Sequence, residues 1–106
     1  MTMIPLLNQL QFEDLLKPTG KAKAVVVYFT APWCGACKRL DFDRILTHNT
    51  SVVWYKCDID VNKYTLGYCG LSKIPSFAFI KDTKFLGKFT SSDTDMVIDM
   101  IDESFL

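Results

Sequence analysis

The chain has 106 residues, of which 49% are hydrophobic, and twelve basic residues balance twelve acidic ones. A chain of this length can build a core of its own, so we expect one domain over residues 1–106. The zero net charge removes the bulk electrostatic case for nucleic acid or an anionic membrane, and no apolar run approaches the roughly 20 residues of a membrane span. We therefore expect no nucleic-acid and no membrane partner.

Hydrophobic periodicity predicts helices that alternate with strands. In chain order, the predicted elements are a few strand-like residues, a helix over 7–17 ended by Pro18-Thr19-Gly20, a strand over 24–29, a helix over 39–46, a strand over 51–57, a short helix over 63–68, strands over 76–81 and 84–89, and a terminal amphipathic helix whose capping box begins at Ser92. This order predicts an α/β sandwich, with a mixed sheet and helices on both of its faces.

The chain termini carry no targeting signal that we recognise. Met1–Gln9 lacks the basic segment and the long apolar core of a secretory signal. Asp102–Leu106 carries no ER-retention signal. These features predict a reducing, cytoplasmic location.

Two of the four cysteines, Cys34 and Cys37, lie between a predicted strand and a predicted helix. Unpaired N–H groups at the start of a helix and the helix dipole lower the pKa of a thiol there. Cys34 is therefore the predicted attacking thiolate, and Cys37, one turn further in, is expected to be more buried. The pair predicts a redox site.

The alternative for this pair is one half of a zinc site. Zinc would need two further ligands, and the candidates are Cys57, Cys69 and His48. The predicted positions of Cys57 and Cys69, at a strand end and a helix end, do not converge on the pair. Buried hydrophobic roles are expected for both, with an exposed regulatory thiol as the alternative for Cys69.

Three motifs in register resemble the thioredoxin family, over a span from Phe12 to the end. The segment Trp33-Cys34-Gly35-Ala36-Cys37-Lys38 is similar to the family's Trp-Cys-Gly-Pro-Cys-Lys active site. Ile74-Pro75-Ser76 lies where the family carries Ile-Pro-Thr with a cis-proline, and Lys56 resembles the family's lysine at the end of the central strand. The resemblance implies the thioredoxin fold, a mixed central β-sheet flanked by helices on both faces.

The resemblance also implies a function. It predicts a thiol–disulfide oxidoreductase that reduces protein disulfides, in which Cys34 attacks, Cys37 resolves the mixed disulfide, and the two form the redox disulfide. The expected partners are disulfide-containing proteins and an electron donor such as a thioredoxin reductase. The protein is expected to be a monomer with no bound cofactor and no metal. The substrate groove is expected to comprise Trp33, Gly35, Ala36, Ile74, a cis Pro75 and Thr90.

Four residues depart from the family pattern. Ala36 and Phe42 replace prolines, and Thr90 stands near a glycine that lines the groove. Tyr28 occupies the strand position where the family buries an acid that relays protons to and from the second cysteine. A phenol with a pKa near 10 is a poor proton acceptor at neutral pH, so we expect Tyr28 to fill core volume. The proton relay would then fall to one of the remaining candidates, which are Lys56, Asp58, Asp60 and water.

Two other functions remain open from the sequence. The missing acid and the altered groove are compatible with a thioredoxin-fold binding module that hardly uses its thiols. A disulfide isomerase or oxidase is the third possibility, and the absence of a secretory signal disfavours it.

Overall fold

One mixed β-sheet organises the computed structural model, which describes residues 3–18 and 23–105. Over these residues the strands are β1 (Ile4–Pro5), β2 (Ala24–Thr30), β3 (Val53–Asp58), β4 (Ser76–Lys81) and β5 (Lys84–Thr90). Their order in the sheet is β1-β3-β2-β4-β5. Strands β1, β3 and β2 run parallel, whereas β4 is antiparallel to both β2 and β5.

Four helices and one 3-10 turn cover the sheet over the described residues. They are α1 (Gln9–Asp14), the 3-10 segment Ala36–Arg39, α2 (Phe42–His48), α3 (Thr65–Tyr68) and α4 (Thr94–Phe105). Residues of α2 and α4 pack on one face in a buried cluster that contains Tyr28, Trp54 and Phe77. Residues of α1 and α3 pack on the other face, around Phe12 and Phe29. The predicted fold class is confirmed.

Strand β2 is central because its residues suit burial on both faces. Its sequence is rich in valine, and every residue from Val25 to Thr30 is buried. Side chains alternate along a strand, so Tyr28 points to the α2/α4 face while Phe29 points to the α1/α3 face. The cysteine motif therefore follows directly after a strand that is buried up to its last residue, Thr30.

The helix predicted after the cysteines is the main correction to the expected elements. The 3-10 segment ends at Arg39, and the next residue, Leu40, has an extended backbone at φ −77° and ψ 132°. A new helix then begins, and the Asp41 carboxylate accepts a hydrogen bond from the Arg44 N–H at 3.2 Å. Aspartate is a preferred N-cap, so Asp41 favours a helix that starts anew at this point. Phe42, which replaces a family proline, is the first residue of this new helix.

Smaller differences concern the ends of the other elements. Helix α1 is shorter than predicted and begins after Asn8, whose side chain accepts a hydrogen bond from the Gln11 N–H. The cap of α4 is Asp93, one residue later than expected, with the Met96 N–H as its donor at 3.1 Å. The turn expected at Thr19-Gly20 lies outside the described residues.

Candidate active site

Strand β2 and a short loop place the two cysteines at one edge of the sheet. Cys34 and Cys37 form a disulfide with their Cα atoms 5.3 Å apart. Both are buried, with 4% of Cys34 and 7% of Cys37 exposed. The expectation that Cys37 would be the more buried of the two is therefore wrong. A single 3-10 turn that ends at Arg39 does not carry the second cysteine deeper into the core.

A hydrogen bond distinguishes the two sulfur atoms where burial does not. The backbone N–H of Cys37 donates to Sγ of Cys34 at 3.1 Å. In the reduced state the same donor would favour the thiolate of Cys34, since hydrogen bonds to a charged sulfur stabilise that form. The local support for the thiolate is thus a directed N–H at a 3-10 turn and not the start of a long α-helix.

The segment around Pro75 lies at the same end of the sheet. The Ile74–Pro75 peptide bond is cis, as the resemblance implies. Ser76 pairs with Phe29 across β2 and β4, so Pro75 lies near the end of β2 from which the cysteine loop departs. Oγ of Ser76 is 2.7 Å from Oγ1 of Thr90, which ties the end of β5 to the proline segment.

Trp33 and Gly35 leave an accessible surface at the motif. Trp33 is 64% exposed, and its indole N–H donates to both carboxylate oxygens of Asp60, at 3.0 and 3.2 Å. A Cβ added at Gly35 would meet no atom within 4 Å. Ala36 begins the 3-10 turn and is half-buried. Trp33 and Gly35 are thus the accessible residues on either side of Cys34, which is itself buried.

A cavity of about 450 Å³ lies on the inner side of the disulfide. Both cysteines line it, together with Tyr28, Thr30, Lys38 and Lys56 among others. Of the four side chains considered for proton relay, the structure brings Tyr28 and Lys56 to this cavity.

The other two candidates, Asp58 and Asp60, do not line this cavity. The Asp58 carboxylate accepts the Asp60 N–H at 2.9 Å, and the Asp60 carboxylate holds Trp33. These contacts give both acids structural partners elsewhere.

Tyr28 packs as a core residue. Its ring stacks on Phe77, with centroids 5.4 Å apart, and contacts Phe42 at 4.6 Å. Burial raises the pKa of the Tyr28 phenol, and a hydrogen bond to Thr30 lowers that pKa by less. The phenol is therefore neutral near pH 7 and donates to Oγ1 of Thr30 at 3.1 Å. Sequence reasoning missed Thr30, although its spacing of two residues from Tyr28 places both on one face of β2.

Cys57 and Cys69 lie on the opposite, α1/α3 face of the sheet. Both thiols are buried, so the expected buried role is confirmed and the alternative of an exposed Cys69 is wrong. Burial raises the pKa of each thiol to about 12. His48, the other candidate ligand, ends α2 with Nε2 2.9 Å from Asp102. Across residues 3–18 and 23–105, no three side chains of His, Cys, Asp or Glu form a group that could hold a metal ion.

These pKa values predict selective alkylation. At pH 8 a thiol with a pKa near 12 is about one part in ten thousand thiolate, so Cys57 and Cys69 should stay unmodified in the reduced, native protein. Iodoacetamide should instead modify Cys34 first, and all four cysteines should react in denaturant. Peptide mass spectrometry over a time course measures this order. Labelling of Cys69 in the native state as fast as Cys34 would contradict it.

None of the helices in the described part of the chain is long and apolar enough to cross a membrane.

The chain combines a mixed sheet that has helices on both faces with a Cys-x-x-Cys disulfide and a cis-proline at one end of that sheet. This combination defines a site that fits thiol–disulfide oxidoreductase chemistry.

Comparisons with known proteins agree with this class. The thioredoxin family model matches residues 3–103. The thioredoxin of Gallus gallus is 31% identical over 96 residues, which cover 89% of this chain and 90% of that protein. The solved thioredoxin of Schistosoma mansoni superposes with a TM-score of 0.81 at 31% identity, covering 99% of this chain and 96% of that one. Oxidised mitochondrial thioredoxin 3 of Saccharomyces cerevisiae superposes with a TM-score of 0.84 at 25% identity, covering 95% and 94%.

Some relatives are much longer than this chain. It matches the TPR repeat-containing thioredoxin TDX of Arabidopsis thaliana at 33% identity over 86 residues, which is 78% of this chain and 23% of that protein. It spans 15% of thioredoxin domain-containing protein 2 of Rattus norvegicus. The family match and the full-length thioredoxins show that the chain belongs to the thioredoxin family.

Proposed function

We propose that the protein reduces disulfides of other proteins through the Cys34/Cys37 dithiol. The observation that carries this proposal is the Cys34–Cys37 disulfide with the Cys37 N–H directed at Sγ of Cys34. In the reduced protein that donor selects Cys34 as the thiolate, and Cys37 is close enough to close the disulfide afterwards.

The reaction proceeds in two exchanges. The Cys34 thiolate attacks one sulfur of the substrate disulfide, a Cys34–substrate disulfide forms, and the other substrate sulfur leaves as a thiolate. Cys37 then loses its proton to solvent in the cavity and attacks Sγ of Cys34, which releases the second substrate thiolate. The dithiol has given up two electrons and two protons, and the substrate disulfide has gained them.

The exposed surface around the disulfide supports a polypeptide substrate. In this proposal the segment with the cis bond at Pro75 and the Ser76–Thr90 contact would form one wall of the substrate groove, and the exposed indole of Trp33 would form another. An extended segment could hydrogen-bond to backbone beside Pro75 while its apolar side chains pack on Trp33.

Turnover requires an external reductant, because the two exchanges leave the protein oxidised. We propose that an electron donor of the thioredoxin reductase type restores the dithiol.

Cytoplasmic location and a monomeric state stay predictions from the sequence.

Reduction of insulin by dithiothreitol, followed by turbidity, tests the proposal. The wild-type protein should accelerate the reaction, and Cys34→Ser should lower the acceleration by on the order of 10³-fold or more, because the attacking sulfur is gone. Cys57→Ser is the matched control, since Cys57 lies on the opposite face of the sheet and should keep nearly full activity. If the Cys34→Ser variant retained activity, the dithiol mechanism would be excluded, and a binding module would be the better description.

A further inference from the structure

The cavity on the inner side of the disulfide carries an unbalanced charge. Lys38 and Lys56 are the charged side chains among its lining residues, and no carboxylate of the described residues lines it. Both redox cysteines share the same lining. Both lysines are exposed side chains, so two positive charges border the solvent-open cavity that the cysteines also line, and they make the potential there positive.

The two lysines belong to different elements that meet at the site. Lys38 lies in the 3-10 segment directly after Cys37. Lys56 lies on β3 and pairs in register with Tyr28 on β2. Within residues 3–18 and 23–105, neither lysine forms an ion pair with a carboxylate. Their charges are therefore not neutralised by a direct partner.

Three acids on neighbouring elements, Asp41, Asp58 and Asp60, have hydrogen-bond partners of their own. Asp58 borders an adjoining cavity of about 240 Å³ with Lys56, and its carboxylate accepts the Asp60 N–H. Asp60 holds the indole of Trp33, and Asp41 caps α2. Asp58 reduces the potential at Lys56 from one side without entering the cavity beside the disulfide.

The phenol of Tyr28 does not offset the lysines either. Burial raises its pKa, so the group that occupies the inner wall is neutral at physiological pH. In the thioredoxin family that the sequence resembles, a buried acid occupies the position of Tyr28. The cavity is therefore lined by two positively charged lysines and a neutral tyrosine.

We propose that this cavity selects disulfide substrates that carry carboxylates close to the reacting sulfur atoms. The proposal rests on the disulfide exchange proposed above and adds a substrate class to it. A carboxylate of the substrate would lie near Lys38 or Lys56 while the Cys34 thiolate attacks. The bonds that form and break are those of the first exchange, so no additional reactant is needed.

The two lysines act on the attack step in two ways that can be separated. They raise the thiolate fraction of Cys34, which speeds reaction with every disulfide. They also attract an anionic substrate, which speeds reaction with that substrate alone. The ratio of the rate constants for an anionic and a neutral disulfide cancels the first effect and measures the second.

The experiment uses the reduced, desalted protein in stopped flow, at low ionic strength. The anionic probe is 5,5′-dithiobis(2-nitrobenzoate), and the neutral probe is 2,2′-dipyridyl disulfide. Each of Lys38→Met and Lys56→Met should lower the ratio of the two rate constants by about two- to fourfold, and the double variant by about fivefold or more. Raising the salt to about 0.5 M should reduce the wild-type ratio toward that of the double variant.

Lys84→Met is the matched control. Lys84 is an exposed lysine that pairs with Lys81 at the opposite end of the sheet, so its loss should leave the ratio unchanged.

A pair of peptide disulfides, one with glutamate and one with glutamine on both sides of cysteine, should show the same preference and the same loss in the double variant. A ratio that is equal in the wild type and the double variant overturns the charge selection, even if both react rapidly. Absence of reaction with the neutral probe, or reaction that survives Cys34→Ser, overturns the proposed exchange itself.

Discussion

Replacement of Cys37 by serine should convert the protein from a catalyst into a trap for its substrates. The Cys34 thiolate would still attack a disulfide, but no second thiol of the motif would remain to release the product. Turnover of insulin should fall at least about a hundredfold, and a covalent Cys34–substrate complex should accumulate. Non-reducing gel electrophoresis with mass spectrometry of the linked peptides measures both the complex and the cysteine that holds it.

The double variant Cys34→Ser/Cys37→Ser is the control for this trap. It lacks the attacking sulfur and should form no covalent complex, although Cys57 and Cys69 remain. If Cys37 were the attacking residue instead, Cys34→Ser would trap substrates and Cys37→Ser would not. That reversal would contradict the assignment drawn from the hydrogen bond between the Cys37 N–H and Sγ of Cys34.

Tyr28→Asp should be among the most destabilising single substitutions in the chain. The tyrosine ring packs against Phe42 and Phe77, and 4% of the residue is exposed. Its loss leaves a cavity and places a carboxyl group among aromatic rings, which should lower the free energy of unfolding by about 3–5 kcal/mol. For a domain of this size that corresponds to a fall of roughly 15–30 °C in Tm, measurable by circular dichroism.

The cost of the introduced carboxyl group should depend on pH. Burial raises its pKa above the value in the unfolded chain, which is about 3.9. The native state then binds more protons than the unfolded state, so the variant loses stability as pH rises from about 4 through the folded pKa. Tyr28→Asn has a similar shape without the titration, so the difference between the two variants should grow over that range and then level off.

Tyr28→Phe separates packing from hydroxyl chemistry. It removes the hydrogen bond to Thr30 and leaves the ring contacts, so a cost of about 1 kcal/mol is expected with turnover retained. Abolished turnover in a folded Tyr28→Phe variant would show that the phenol takes part in the reaction, against the core role that its contacts indicate.

Local patterns were sufficient to predict most of the fold. The valine-rich strand before Thr30, the apolar run at 76–81 and the amphipathic spacing of the last helix each correspond to an element of the structure. A strand that is buried on both faces has a continuous apolar run, and a helix that is buried along one stripe has apolar residues at helical spacing. Both patterns are easily recognised in a sequence. The cis bond at Pro75 was predicted from the resemblance, because an Ile-Pro pair alone does not specify it.

Features that depend on contacts distant in sequence were not predicted. The break at Leu40 follows from the cap at Asp41, whose N–H also donates to Thr94 on α4, 53 residues away. The partnership of Trp33 with Asp60 likewise joins two loops. The acid-free cavity depends on which charged side chains the sheet register brings beside the disulfide, and spacing along the chain does not contain that information.

The placement of the four cysteines on two faces of one sheet also limits which disulfide pairs can form in the folded protein. Cys34 and Cys37 belong to the cluster under α2 and α4, whereas Cys57 and Cys69 belong to the cluster under α1 and α3. Thiol–disulfide exchange requires the attacking sulfur to approach the bond directly. A chain that stays folded therefore cannot shuffle its disulfide into a mispaired isomer, and unfolding is the step that exposes it to scrambling.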